Sequence, residues 1–340
     1  MRAVLMERGR LWVDEIPDPE PGPGEVLVRT IACGVCGSDL HAVRHTDTFV
    51  ATSREAGGAF KLDTFDPVVL GHEFCAEILD YGPDCARTLP VGTHVCAPPM
   101  LLRKPPAAVG YSPLAPGGFG ERMLLSEPLL LPVPGGLDAS LAALTEPMAV
   151  GLHAVRKARL TAQDAAVVVG CGPVGLAVIT ALKAQGFGPV IASDFSPGRR
   201  ALAQTQGADI LVDPAESDPL QHSERRTRSG CVVFECVGVP GMLDQLFLSA
   251  PQDARLVVVG VCLEPDTLRP LIAINKELNV QFVLGYSTEE FAETLTGIAD
   301  GRFRIEPLIT DRVPLEQVEA TFARLAQPEA AGKVLVEPGA

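Results

Sequence analysis

AAVVVGCGPVGLAVITAL, residues 165–182, is the stretch on which the fold turns. It carries no charge and is long enough to suggest a membrane span. Gly170-Cys171-Gly172-Pro173, near its middle, argues instead for a strand, a tight turn and a helix. Residues 165–169 read as a buried strand, GCGPVG (170–175) as the turn and 176–185 as the helix. Gly170 permits the sharp turn, Gly172 lets the backbone approach a pyrophosphate, and Gly175 allows the helix to pack close on the strand. Free amides at the helix start, notably that of Val174, face phosphates along the helix dipole, while Pro173 has no N–H and only shapes the turn. A second strand, 189–193, ends at Asp194, 19 positions past Gly175. A carboxylate there accepts hydrogen bonds from both ribose hydroxyls and repels a 2′-phosphate, which predicts NAD over NADP even with Arg199 and Arg200 nearby. Further strands expected at 209–212, 231–236, 255–261 and 279–285 continue the βαβ order of an α/β protein with a doubly wound parallel (Rossmann) sheet.

At 340 residues the chain has room for two domains. Forty-two acidic against 28 basic side chains leave a formal net charge of −14, which disfavours nucleic acid and anionic membranes as partners. The start, MRAVLMERGRLWVDE, is broken by charge every few positions and holds no apolar core of a signal peptide, so a cytoplasmic enzyme is expected. Nine cysteines without a framework spacing fit reduced thiols and a metal ligand better than disulfides. Cys33 and Cys36 form a Cys-x-x-Cys pair, but Cys33 ends an apolar run and reads as a buried strand thiol.

The first half has a different texture. Residues 2–6 and 10–16 read as short strands, PDPEPGPGE (17–25) as a connector, and 26–33 as the strand that delivers GVCGSDLH (34–41). That octet offers a thiol at Cys36, a hydroxyl at Ser38, a carboxylate at Asp39 and an imidazole at His41. Gly71-His72-Glu73 and Thr145-Glu146-Pro147 add an imidazole and two carboxylates from distant segments. Such a set suits a catalytic Zn²⁺ that keeps one position open for water or substrate.

CGSDLH (36–41), GHE (71–73), EP (146–147) and VVVGCGPVG (167–175), in this order, resemble the zinc-dependent medium-chain alcohol and polyol dehydrogenases along nearly the whole chain. The resemblance implies a mostly β, GroES-like (chaperonin-cofactor-like) catalytic domain over 1–149, completed by 290–340, and a Rossmann NAD-binding domain over 150–289. It implies zinc held by Cys36, His72 and Glu146, with Glu73 coordinating directly or exchanging with water. Asp39 would accept the remaining N–H of His72. Ser38 would take the alcohol proton and pass it, through the nicotinamide ribose, to His41. Arg199 would cover the adenine, and Val237, Val259 and Gly260 would flank the nicotinamide. Phe119 would point toward the substrate cleft. A homodimer or homotetramer is also implied, with 279–285 pairing across a two-fold axis.

Three departures shape the remaining expectations. The segment 45–66 lengthens the spacing between Cys36 and His72, and a long loop there suits a lid or a surface insertion. The segment 96–118, where relatives often place four cysteines, holds only Cys96, so one catalytic zinc and no structural zinc is expected. Ala42 stands where sugar-alcohol relatives often place a tyrosine, which moves the expected substrate toward a secondary alcohol or small diol, oxidised to the ketone or aldehyde. The neighbouring alternative is a zinc-dependent carbonyl or enone reductase running mainly in the reductive direction. The alternative from another class is a catalytically retired nucleotide-binding protein.

Overall fold

A computed structural model describes residues 1–57, 66–327 and 332–339. The strand Glu25–Gly34 is the spine of the first half. Val26, Val28, Thr30 and Ala32 are buried while Leu27, Arg29 and Ile31 are less so, the period of two that one core-facing side requires. It pairs antiparallel with Glu73–Tyr81, Gly34 facing Glu73, and with Arg122–Ser126. At its far end it pairs with the tail strand Lys333–Val336, which carries Ile309–Val313 parallel beside it. These strands belong to a seven-stranded sheet. A three-stranded sheet of Arg10–Glu15, Arg2–Glu7 and Val68–Val69 shares its apolar core, which includes Val4, Val26, Phe74, Leu101 and Val334.

The second half is built on a parallel sheet whose central strands are apolar and buried between helices, while its edge strand Asn279–Phe282 is exposed. Their order is Ile210–Val212, Val190–Ser193, Asp164–Val169, Gly230–Glu235, Arg255–Val258, Asn279–Phe282, all parallel. This is the doubly wound order 3-2-1-4-5-6, which changes direction beside Asp164–Val169 and opens a crevice above the glycine turn. The run 165–182 is a strand, a turn and the helix Pro173–Ala184, and no helix among the described residues is long and apolar enough to cross a membrane.

Two expectations are corrected. The start of 45–66 is not a loop but the helix Thr46–Glu55, with Phe49 and Val50 buried. The Thr46 hydroxyl donates to the Ala42 carbonyl at 2.6 Å and so ties this helix to the preceding one, Gly37–Arg44. Phe60 and Phe65 lie outside the described residues. Phe119, expected to face the cleft, is fully buried and meets Phe322 edge-on at 6.0 Å, because the core beneath Gly71 needs a large apolar side chain there.

Candidate active site

Three neighbouring strands bring their ends together at one place. Cys36 lies two residues past Glu25–Gly34, Glu73 opens the strand on one side, and Lys333 opens the strand on the other. The Cys36 sulfur, a His72 ring nitrogen and a Glu73 carboxylate oxygen lie within 4.8 Å of one another, the only such group among the described residues. Gly34 makes this possible: a Cβ there would fall 2.1 Å from a Glu73 carboxylate oxygen. Glu73 is wholly buried, and the buried Lys333 ammonium donates to both its oxygens and to the Val35 carbonyl at 3.3 Å. Burial alone would lower the Lys333 pKa, but Glu73 and Cys36 outweigh it and hold the ammonium charged. Glu146, in the first turn of the helix Thr145–Ala158, lies outside the 4.8 Å group. Burial pushes its carboxyl up to about 7, opposed by His72 and reinforced by Glu73, with the Tyr286 hydroxyl within hydrogen-bonding reach.

His72 Nδ1 approaches Asp39 Oδ1 to 3.4 Å, an ion-pair contact too long for a good hydrogen bond, and has no well-aligned partner among the described residues. The closer bond of Asp39 is to its own helix: Oδ2 accepts the Cys36 N–H at 2.9 Å, capping Gly37–Arg44. Burial lowers the basicity of His72, but Asp39 and Cys36 more than reverse this and hold the ring well above its ordinary pKa. Ser38 and His41 are half-buried and one turn apart on this same helix, so they share a face. Burial first, then His45 and Arg44, lower the His41 pKa, which leaves a neutral ring able to accept a proton at pH 7.

In the glycine turn, Gly170 has φ +92°, open to glycine, and a Cβ on Gly175 would fall 1.8 Å from the Gly170 carbonyl oxygen. A Cβ on Gly172 would meet nothing within 4 Å, so the turn is open on the side from which a pyrophosphate would approach. Pro173 and Val174 start the helix beyond it. Asp194 accepts the Cys171 N–H at 2.8 Å and the Ser196 N–H at 2.8 Å, which places its carboxylate against the turn. Arg199 stands 3.9 Å from it, while Arg200 donates to the Asp194 carbonyl and pairs with Asp213 at 2.9 Å. Val237 is partly exposed, and Val259 and Gly260 both donate their N–H to the Glu235 carbonyl at 2.9 Å.

Four residues of these sites went unread in the sequence. Lys333 is the sole cation inside the apolar GKVLVEP tail, and Tyr111 the sole aromatic ring of 96–118. Tyr286 reaches Glu146 from just beyond the last parallel strand. Glu235 accepts the N–H groups of Val237 and Gly238 at 2.7 and 2.8 Å and so fixes the loop beside the glycine turn.

Cys36, Glu73 and Glu146 act on the buried Lys333, and Asp39 and Cys36 on His72, so acidic groups cluster here. The sulfur, nitrogen and oxygen donors of Cys36, His72 and Glu73 fit a divalent metal. Residues 22–135 match the alcohol dehydrogenase GroES-like domain, and residues 173–300 match the zinc-binding dehydrogenase family. The chain is 33% identical to (R,R)-butanediol dehydrogenase of Bacillus subtilis (strain 168), over 96% of each chain. The crystal structure of 2R,3R-butanediol dehydrogenase from Bacillus subtilis superposes with a TM-score of 0.84 at 31% identity, covering 99% of both chains. A structure from Sinorhizobium meliloti 1021 bound to NADP also superposes with a TM-score of 0.84, at 28% identity and 99% coverage of both. The first-half sheet is thus GroES-like and the second a Rossmann sheet, and the chain belongs to the zinc-dependent alcohol and polyol dehydrogenases of the medium-chain dehydrogenase/reductase family.

Proposed function

We propose that the chain reversibly oxidises a secondary alcohol or small diol, with NAD⁺ as hydride acceptor and one zinc per chain. The observation that carries this reading is the convergence of Cys36, His72 and Glu73 beside a helix that also bears Ser38 and His41. Zinc held by Cys36, His72 and Glu146, with Glu73 at its side, would supply a Lewis acid that lowers an alcohol's pKa, and nicotinamide would supply the hydride acceptor. Ser38 Oγ takes the alcohol proton, and neutral His41 receives it at the outer end of the relay. Lys333 keeps Glu73 partnered whether or not this carboxylate also touches the metal.

Asp194 favours NAD, since its carboxylate would repel a 2′-phosphate and Arg200 is already engaged by Asp213. The Sinorhizobium meliloti structure holds NADP, so this preference is a property of the Asp194 neighbourhood rather than of the fold. The name of the Bacillus subtilis relative supports a small diol, as does Ala42, which is fully buried where sugar-alcohol relatives often place a tyrosine. We read the catalytic unit as 1–149 completed by 290–340 around a nucleotide unit, 150–289. The tail strands in the seven-stranded sheet support this division, and the helices Thr145–Ala158 and Thr288–Ala299 join the units through His153 and Glu290, 2.7 Å apart.

A panel of alcohols, vicinal diols and polyols with NAD⁺ and NADP⁺, run with and without a chelator, tests the reading. Turnover of small diols with NAD⁺, its loss on chelation, and one zinc per chain by elemental analysis are expected. Chelator-resistant turnover would remove the metal from the mechanism; two zincs per chain or a preference for NADP⁺ would overturn those assignments.

The edge strand Asn279–Phe282 is exposed throughout, with Phe282 63%, Leu284 82% and Ile274 67% exposed. An unpaired apolar edge of this kind supports a two-fold dimer through strand pairing. Phe282→Lys is expected to convert a dimeric or larger mass, measured by sedimentation equilibrium, to that of the monomer. An unchanged mass would place the interface elsewhere.

A further inference from the structure

Tyr111 comes from 96–118, the segment left without a cysteine lobe, and its ring is almost wholly buried at 2% exposure. It lies between two other rings: Phe49 stacks on it at 5.9 Å with an interplanar angle of 16°, and His72 sits at 5.1 Å, tilted by 40°. The hydroxyl is 2.7 Å from Ser38 Oγ and 3.3 Å from Asp39 Oδ1. An O–H···O bond has its optimum near ~2.7–2.8 Å and is spent beyond ~3.0 Å, so the phenol proton belongs to Ser38 and not to Asp39.

We propose that Tyr111 is a positioning residue for Ser38, a role that rests on the relay described above. By donating to Oγ, the phenol fills one acceptor site of the Ser38 hydroxyl and turns that hydroxyl's own proton outward, toward the helix face it shares with His41. When Ser38 gives its proton to the relay and takes the alcohol's, Oγ carries partial negative charge, and the phenol hydrogen bond stabilises it without leaving Tyr111. One proton enters Ser38, one leaves, and Tyr111 ends as it began. The helix Thr46–Glu55 gains a task from this. Its Phe49 backs the tyrosine ring, so the segment that lengthens the chain between Cys36 and His72 buttresses the relay from behind.

Tyr111→Phe keeps the stack on His72 and Phe49 and removes only the hydroxyl. The test is a double-mutant cycle with Ser38→Ala on zinc- and NAD-loaded enzyme, using the diol turned over best. Tyr111→Phe is expected to lower kcat about tenfold, the effect of one lost hydrogen bond, with KM for NAD⁺ and zinc content unchanged. Ser38→Ala is expected to lower kcat ~10²-fold or more, and the double variant no further. If Tyr111→Phe lowers kcat by the same factor in the Ser38→Ala background, its action does not run through Ser38 and the proposal falls. High-resolution crystal structures of the loaded protein give a readout that needs no turnover. Ser38 should hold one rotamer in the parent and two in Tyr111→Phe, and a single unchanged rotamer would overturn the proposal. Absence of turnover in the parent would defeat the proposed function, while the rotamers would still decide the positioning role.

Discussion

Lys333→Met is expected to lower the unfolding free energy of the metal-free protein by about 3–5 kcal/mol, the range for stripping one partner from a buried ion pair. Glu73 is wholly buried and Lys333 2% exposed, so no water can take over the lost contact. Methionine fills the same volume, which leaves the uncompensated Glu73 carboxylate as the source of the loss. Adding Glu73→Gln should therefore restore much of the stability, because an amide tolerates that site far better than a lone charge. Zinc reverses part of the effect. A divalent ion beside Cys36 and His72 offers Glu73 a replacement cation, so the zinc-loaded variant should lose less than the metal-free one. Removing Lys333 also removes a competitor for the same carboxylate, and zinc affinity, measured by chelator competition, should rise. Denaturant unfolding of both forms decides the matter. A loss under about 1 kcal/mol in the metal-free protein, as for an exposed pair, would refute the idea that Lys333 neutralises Glu73.

That same pair marks where the sequence stopped being readable. The glycine turn was legible because its demands are local: a left-handed Gly170, an open Gly172 and a Gly175 with no room for Cβ are all met within six residues of one another. Cys36, Ser38 and His41 were legible for a similar reason, since a single helix of eight residues, Gly37–Arg44, carries two of them and is capped by the third. Lys333 contacts Glu73 across 260 residues and Tyr111 contacts Ser38 across 73, and no local period encodes such partners. The helix Thr46–Glu55 is not legible because its sequence, TDTFVATSRE, is polar except for Phe49, Val50 and Ala51. Its order comes from the tyrosine on which Phe49 stacks, a tertiary cause that propensity cannot show. Phe119 misled in the opposite sense: a motif that resembles a cleft-lining strand supplies a core side chain, because its backbone runs against Gly71 and its ring turns inward to Phe322.

Cys36→Ser is expected to abolish zinc retention on dialysis and to lower kcat/KM by ~10⁴-fold or more. That fall corresponds to about 5 kcal/mol of transition-state stabilisation, the order attributed to a catalytic metal. The variant separates metal binding from folding in an unusual way. Cys36 is the N-cap of Gly37–Arg44, with φ −94° and ψ 154°, and serine is among the residues that cap helices best. The helix bearing Ser38 and His41 should therefore be as stable in the variant as in the parent, or more so. A serine hydroxyl keeps its proton near neutral pH, however, and cannot replace a thiolate as an anionic ligand. Of the proposed donors His72, Glu146 and Glu73 then remain, none of them a thiolate, and Glu73 is shared with Lys333. Matching melting temperatures for the two metal-free proteins, together with zinc lost only from the variant, would assign the inactivity to the ligand. Full zinc retention with activity within tenfold of the parent would show that Cys36 is not a ligand.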